Sequence, residues 1–254
     1  MSRLLNCLHH QPGVAFASQY VLAQGLFNSF LTFHNYFDEV FPGKQINARL
    51  EIIFHDAHGR EVLFHEVEVA PGASTVVDCK LVGLRDDGIM AVRAVPQADL
   101  RKLAKGQFKI RNQINTGFYV TWDWGGRFRD TMHEWADVSA LAGKLNEQLI
   151  GFAESSINIE HGLVMMNPST EKNHLTSFDL SLYDPLGRRL SRAVPLPSLP
   201  AMGSCIVKML EIFPDFYKLL TQHGRLVLGV NSDHAAPPLT AEWHTSGDFH
   251  FHHI

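Results

Sequence analysis

The sequence lacks the features that mark several common classes of protein. Its 254 residues include only three cysteines, and no two of them form a Cys-x-x-Cys pair. A disulfide framework or a zinc finger needs more thiols at closer spacing. No apolar run approaches the ~18 residues of a membrane-spanning helix, and the N-terminal apolar stretch is too broken for a secretory signal. We therefore expect no membrane span and a cytoplasmic protein, with an extracellular location as the second choice.

Positively and negatively charged residues are nearly equal in number, with 22 Lys and Arg against 26 Asp and Glu. The formal net charge is -4 and the isoelectric point is near 6.4. Such a balance provides no general attraction to a polyanion, so nucleic acid is not expected as a partner. Hydrophobic residues make up 45% of the chain and charged residues 19%. This composition is typical of a folded protein rather than a disordered one.

Local signatures of the best-known enzyme classes are absent from the sequence. A P-loop needs Gly-x-x-x-x-Gly-Lys followed by Ser or Thr, and the segments that end at Lys44 and Lys144 lack both the first glycine and the hydroxyl residue. The Gly-x-Ser-x-Gly nucleophile elbow, the His-Glu-x-x-His zinc helix and the Gly-x-Gly-x-x-Gly fingerprint are missing too. The sequence therefore does not decide whether the protein is an enzyme, and the missing motifs favour a protein that is not one.

An internal repeat is the strongest pattern that the sequence contains. Residues 48–62, ARLEIIFHDAHGREV, align without a gap with residues 176–190, TSFDLSLYDPLGRRL. In both segments apolar residues recur at every second position, as in a strand with one buried face. Both then contain Asp-x-x-Gly-Arg, in which the Asp side chain accepts turn N–H groups and glycine supplies a positive φ. Each segment is predicted to be a β-hairpin. The alternating residues are Leu50, Ile52 and Phe54 in the first copy and Phe178, Leu180 and Leu182 in the second.

Three further blocks match in the same order, and they extend the repeat over most of the chain. Four ordered matches indicate a duplication. Turn signals at short intervals and few helical patterns predict a β-sandwich or jelly roll for each copy. The chain is thus predicted to be all-β, with two tandem, duplicated β-sandwich domains at residues 1–137 and 138–254 and short helical insertions. The further blocks are the apolar runs that end at Asn35 and Asn167, residues 88–95 and 224–231, and the patterns Trp122-x-x-x-Gly126-x-Phe128 and Trp243-x-x-x-Gly247-x-Phe249.

Two short segments are candidates for the helical insertions. Residues 213–224 place Pro214 near a helix start and Gly224 just past its end, which predicts a short helix between strands. Residues 134–148, between the two copies, are predicted to form another short helix or an ordered linker.

The second copy also resembles, loosely, bacterial tandem β-sandwich modules of the immunoglobulin-like or jelly-roll type that occur in surface proteins. The resemblance lies in residues 161–190, with an apolar strand that ends in Asn-Pro, a polar loop, an alternating strand and then Tyr-Asp-x-x-Gly, and it continues through residues 211–216. It implies a binding or structural unit without a common catalytic site, and no specific family is named by it.

The first candidate site is the stretch WDWGGRFRD in the first copy. Tryptophan beside arginine is typical of surfaces that bind sugars or proteins, because aromatic faces stack on apolar patches and Arg reaches hydroxyls or carboxylates. Alternation nevertheless favours a buried stripe that includes Trp122 and Trp124. We predict a non-catalytic ligand-binding or structural module whose partner is a carbohydrate or a protein, and a homo-oligomer is left open. The candidate ligand-binding residues are Trp124, Arg127 and Arg129.

The second candidate site is the C-terminal segment EWHTSGDFHFHHI. In a strand, His250 and His252 would project to one side, with Phe249 and Phe251 on the other. Two imidazoles in a His-x-His spacing can bind one metal, as on the strands of cupin-type barrels, but the other ligands must come from elsewhere. The main hypothesis needs no cofactor. The alternative is a cupin-like, metal-dependent jelly-roll enzyme with one transition metal such as Zn or Fe, for which the candidate ligands are His133, His244, His250 and His252, with Glu242 or His133 assisting.

Overall fold

The protein is all-β, as the sequence predicts, in the part of the chain that the computed structural model describes. Three short helices and nineteen strands make up the described elements, and every strand pairing is antiparallel. The contacts divide the chain into two compact units, residues 1–139 and 140–254. The described residues are 16–41, 43–98, 117–133, 136–138, 145–153, 159–171, 174–232, 238–244 and 249–252.

The first unit contains nine described strands and one helix. They are β1 (Phe16–Val21), β2 (Phe27–His34), α1 (Phe37–Val40), β3 (Ala48–Asp56), β4 (Glu61–Val69), β5 (Ser74–Asp78), β6 (Gly88–Pro96), β7 (Phe118–Trp124), β8 (Phe128–His133) and β9 (Ala136–Val138).

The second unit contains ten described strands and two helices. They are β10 (Leu145–Ala153), β11 (Ile159–Met166), β12 (Leu175–Thr176), β13 (Phe178–Tyr183), β14 (Arg189–Arg192), β15 (Leu199–Pro200), β16 (Ser204–Lys208), α2 (Met209–Ile212), α3 (Phe216–His223), β17 (Arg225–Ser232), β18 (Leu239–His244) and β19 (Phe249–His252).

Each unit is built from two main sheets, and the order of their strands is the same in both. The first unit has the sheets β4-β3-β6-β1-β9 and β5-β2-β7-β8. The second has β14-β13-β17-β10 and β16-β11-β18-β19, with β12 and β15 as a small additional pair. The strands that take the same places in the two units are, in chain order, β1 to β8 of the first unit and β10, β11, β13, β14, β16, β17, β18 and β19 of the second. The duplication itself stays a prediction, and this shared order supports it.

A hydrophobic core lies between the two main sheets of the second unit. It joins residues of β10, β13 and β17 to Leu163 and Met165 of β11, and α2 and α3 add Met209, Ile212 and Phe216. In the first unit Leu50, Ile52 and Phe54 are fully buried, but Glu51, Ile53 and His55 are buried too, so β3 is buried on both faces and not on one as the alternation predicts.

The two predicted hairpins are confirmed, and their turns have the same hydrogen bonds. Asp56 Oδ1 accepts from the backbone N–H groups of His58 and Arg60, while Arg60 Nε donates to Asp56 Oδ2 over 2.7 Å. Asp184 makes the same three contacts with Leu186 and Arg188, again with a 2.7 Å side-chain bond. Each turn is therefore closed by one buried carboxylate.

The prediction for residues 213–224 is confirmed, and the helical alternative for residues 134–148 is wrong where the chain is described. Helix α3 covers Phe216–His223, and Gly224 ends it with a φ of 70°. Residues 136–138 instead pair with β1, and β10 begins at Leu145. Sheet pairing overrides the weak helical pattern here, as tertiary context often does. The remaining residues of that segment lie outside the described part.

Candidate functional site

One face of the sheet β5-β2-β7-β8 is exposed, and we call it the exposed face. Its side chains alternate with buried ones such as Leu31, Phe33 and Val120 on the opposite face. Val76 and Tyr119 are the most exposed apolar residues on it, at 62% and 55%. The strand register aligns Val76, Thr32, Tyr119 and His133 in one row across the four strands. The row therefore alternates two exposed apolar side chains, Val76 and Tyr119, with the polar side chains of Thr32 and His133.

A shallow cleft of about 230 Å³ lies on the exposed face. Its volume is below the ~300–1,000 Å³ of pockets for drug-sized ligands. The residues that line it are Phe30, Thr32, Val76, Thr121 and Arg129.

Arg129 supplies the positive charge of this cleft. Its side chain is 68% exposed, and its Nε lies 3.6 Å from Asp123 Oδ1. That distance is longer than the ~2.7–2.9 Å of a charge-assisted hydrogen bond, so the guanidinium keeps donors for a ligand. Beside it, the hydroxyls of Thr121 and Thr131 are hydrogen-bonded to each other at 2.8 Å. The cleft thus combines an aromatic ring, hydroxyls and one cation.

The three ligand-binding residues predicted from sequence do not lie together on this surface. Trp124 stacks on Phe27, with ring centroids 6.0 Å apart, and its position in β7 alternates with those of the exposed face. Arg127 is exposed in the turn between β7 and β8. Of the three, Arg129 alone lines the cleft, while Trp122 is buried as the alternation favours, with its indole Nε1 donating to Tyr20 O at 3.1 Å.

Sequence reasoning missed most of the lining of the cleft. Phe30 and Thr32 lie in the repeated apolar run that ends at Asn35, Val76 lies in a strand that carries no motif, and nothing in a single sequence pairs β2 with β7. The one usable signal was alternation, which places Tyr119 and Thr121 on the face opposite to Trp122.

A second group of polar side chains lies in the other unit, where His161, Glu242 and His250 occupy one row across β11, β18 and β19. His244 and His252 are two positions away on the same face, so the group holds four histidines around one carboxylate. We call it the Glu242 cluster. The predicted orientation of β19 is confirmed, because Phe249 and Phe251 are buried on the opposite face.

The imidazoles of the Glu242 cluster contact both oxygens of the carboxylate. His161 Nδ1 lies 3.4 Å from Glu242 Oε1, and His252 Nε2 lies 3.3 Å from Oε2. His244 Nε2 lies 3.7 Å from the same Oε2, and the rings of His250 and His252 stack at 5.9 Å. Interactions with His161 and His252 hold the pKa of Glu242 well below its ordinary value, against the opposing effect of burial.

The structure brings three of the four predicted metal ligands, His244, His250 and His252, into the Glu242 cluster. His133 lies in the first unit, where its carbonyl oxygen accepts a hydrogen bond from Gln19 Nε2. As the side chains stand, no group of three or more His, Cys, Asp or Glu residues within the described ranges is placed to hold a metal ion. Sequence reasoning missed His161, because it is distant from the C-terminal segment along the sequence. The pairing of β11 with β18 brings it next to Glu242.

Comparisons with known proteins add little to this description. No family model and no curated protein matches the sequence. The chain is similar to a protein of Parabacteroides distasonis provisionally described as secreted, with a TM-score of 0.23 and 10% identity over 85% of this chain and 69% of that one. It is also similar to red sea bream transglutaminase, with a TM-score of 0.17 and 10% identity over 97% of this chain and 30% of that one. At such scores neither similarity supports an inference about function.

Among the helices of the described residues, none is long and apolar enough to cross a membrane.

Proposed function

We propose that the protein is a non-catalytic binding module that holds a carbohydrate on the exposed face of the first unit. The observation that carries this proposal is the cleft in which Arg129 stands beside Phe30 and two threonines. A protein partner, the other class that the sequence leaves open, is an outcome of the test below.

The chemistry of the cleft favours a sugar over a peptide. A sugar ring offers an apolar face to an aromatic side chain and hydroxyls to polar neighbours, and the exposed face presents Tyr119 and Phe30 close to threonine hydroxyls. Arg129 and Asp123 add a donor and an acceptor on adjacent strands. The cleft is shallow, so its affinity for a single ring would be low, and several rings along the strand rows would be needed for tight binding.

The test is a screen of the full chain against an oligosaccharide array and, in parallel, a peptide array. We expect oligosaccharide binding that Tyr119→Ala and Arg129→Ala each weaken at least tenfold. The matched control is Arg127→Ala, which removes an exposed arginine two residues from Arg129 but outside the cleft. Binding of peptides alone, or equal losses in Arg127→Ala and Arg129→Ala, would overturn the proposal.

The alternative hypothesis, a metal-dependent jelly-roll enzyme, stays a prediction. The described residues place His244, His250 and His252 around Glu242, but no described group of three or more His, Cys, Asp or Glu residues is placed to hold a metal ion. The binding module therefore remains the better supported function.

A further inference from the structure

Arg129 carries the one charge among the described residues that line the cleft on the exposed face. Arginine keeps its positive charge throughout the physiological pH range. The side chain is 68% exposed, so a bound molecule can reach the guanidinium. The cleft therefore presents a permanent positive charge to its ligand.

This guanidinium lacks the close carboxylate contact that other arginines of the protein have. Arg60, Arg188 and Arg192 each donate through Nε to an aspartate oxygen, over 2.7, 2.7 and 2.9 Å. Arg129 pairs with Asp123 in the register of β7 and β8, yet its Nε lies 3.6 Å from Asp123 Oδ1. No hydrogen bond joins its two Nη groups to any other residue that the structure describes. The N–H donors of Arg129 are therefore open to a ligand.

Two carboxylates occupy described positions of the exposed face, and adjoining turns use both. Asp123 is 14% exposed, and its Oδ1 accepts the backbone N–H of Gly126 at 3.0 Å. Asp78 Oδ1 accepts from Asn28 Nδ2 and from the backbone N–H of Leu81, each at 2.9 Å. Neither aspartate lines the cleft, so an anion bound there would meet no carboxylate in the described lining.

We propose that the ligand of the cleft is an acidic sugar, a uronic acid whose carboxylate binds the guanidinium of Arg129. This inference rests on the proposed function, because it names the class of carbohydrate that the exposed face holds. A carboxylate matches the planar fork of N–H donors on a guanidinium with two parallel hydrogen bonds. Phe30 offers an aromatic face to the sugar ring, and Thr32 and Thr121 offer hydroxyls to its polar groups.

The charge provides selectivity more than affinity. An exposed ion pair contributes little by itself, so the carboxylate adds to the ring contacts and does not replace them. What it changes is the choice among sugars, because a neutral sugar leaves the guanidinium without its partner. The cleft should therefore discriminate between two sugars that differ only in the carboxylate.

The first test compares such pairs of ligands on the unchanged full chain. Oligosaccharides of glucuronic, galacturonic and mannuronic acid are each titrated beside the same oligosaccharide after chemical reduction of its carboxyl groups, which keeps the ring stereochemistry. We expect at least one acidic oligosaccharide to bind about tenfold more tightly than its reduced counterpart. Added salt should shrink this difference, because it screens the exposed charge of Arg129.

The second test removes the guanidinium. Arg129→Gln should bring the acidic oligosaccharide down to the affinity of its reduced counterpart. Arg127→Gln is the matched control, since it removes an exposed arginine outside the cleft, and it should keep the difference between the two ligands. The Tm of both variants should equal that of the unchanged protein.

A third variant, Asp123→Asn, predicts a change of the opposite sign. The amide keeps an oxygen that can accept the N–H of Gly126 but removes the negative charge beside Arg129. Binding of the acidic oligosaccharide should become about two- to fivefold tighter, whereas binding of its reduced counterpart should change little. Weaker binding of the acidic oligosaccharide by a variant with an unchanged Tm would contradict the proposal.

The remaining outcomes separate this inference from the proposed function. Equal binding of acidic and reduced oligosaccharides, or a preference for sulfated over uronic sugars, would overturn the inference and leave a carbohydrate-binding module. Binding of peptides alone, or of no oligosaccharide, would overturn both.

Discussion

Trp122 and Glu242 occupy the same place in their respective sheets. Trp122 pairs with Ser29, six residues before Asn35, and Glu242 pairs with His161, six residues before Asn167. Asn35 and Asn167 follow the ends of β2 and β11, and their side chains play the same role. Asn35 donates a hydrogen bond to the backbone oxygen of Ile46, and Asn167 donates one to that of Leu199. At this position the first unit has a buried indole, whereas the second unit has a carboxylate with histidines around it.

The first prediction concerns the indole of Trp122. It is 1% exposed and donates one hydrogen bond, so Trp122→Ala should lower the free energy of unfolding by roughly 3–5 kcal/mol. Trp124→Ala should cost clearly less, because Trp124 is only partly buried. Urea denaturation of both variants checks this. Equal losses would mean that Trp122 does not anchor the core of the first unit.

The second prediction concerns a close approach at Gly162 in β11. A Cβ at this position would lie 2.7 Å from the Trp243 ring and 2.8 Å from the backbone oxygen of Val207. Gly162→Ala should therefore destabilise the protein by roughly 1–3 kcal/mol. Gly151→Ala is the matched control, since nothing lies within 4 Å of its added Cβ. Thermal unfolding that shows the same Tm for both variants would contradict the predicted contact.

The third prediction concerns acid and the turn at Asp56. Burial raises the pKa of Asp56, but hydrogen bonds from Arg60 and His58 outweigh it, so the pKa is lowered on balance. A carboxyl whose pKa is lower in the folded state adds stability above its unfolded pKa, near ~4. That stability is lost as the pH falls through the folded pKa.

Asp56→Asn should therefore be destabilised at neutral pH, and its deficit should shrink as the pH falls below ~4. The expected loss is about 1 kcal/mol or less, because the Arg60 side chain is 75% exposed and the pair is screened by solvent. Tm values of the variant and the unchanged protein between neutral and acid pH provide the test. A deficit that does not change with pH would show that the charge of Asp56 is not the cause.

Local sequence patterns were sufficient for the parts of the fold that depend on near neighbours. The turns at Asp56 and Asp184 and helix α3 follow from residues a few positions apart, and alternation alone oriented β19. Residues 134–148 were harder, because strand pairing with the distant β1 decides their structure where it is described. Long-range pairing leaves no mark in a single sequence.

The alignment of Trp122 with Trp243 shows the same limit at single-residue scale. Trp243 pairs with Glu160, seven residues before Asn167, whereas Trp122 pairs with a residue six before Asn35. A slip of one residue moves a side chain to the other face of the sheet. The sequence alignment paired Trp122 with Trp243, but in the sheets Glu242 is the residue at the position of the buried indole.

The proposed binding site was predictable only in part for a related reason. Arg129 was identified because it stands near tryptophans in the sequence, but Trp124 and Arg127 were identified on the same ground and lie off the cleft. Phe30, Thr32 and Val76 reach the cleft from β2 and β5 through sheet register. The residues of a surface formed by four strands cannot be predicted from the sequence of one strand.

The central claim is that the exposed face of the first unit binds the ligand. The most direct measurement is an NMR titration of the full chain with the oligosaccharide that the array identifies, following the resonances of β2, β5, β7 and β8. We predict that the largest shifts fall on Thr32, Val76, Tyr119, Thr121 and Arg129. Shifts confined to the second unit, or an unchanged titration in Tyr119→Ala, would contradict the claim.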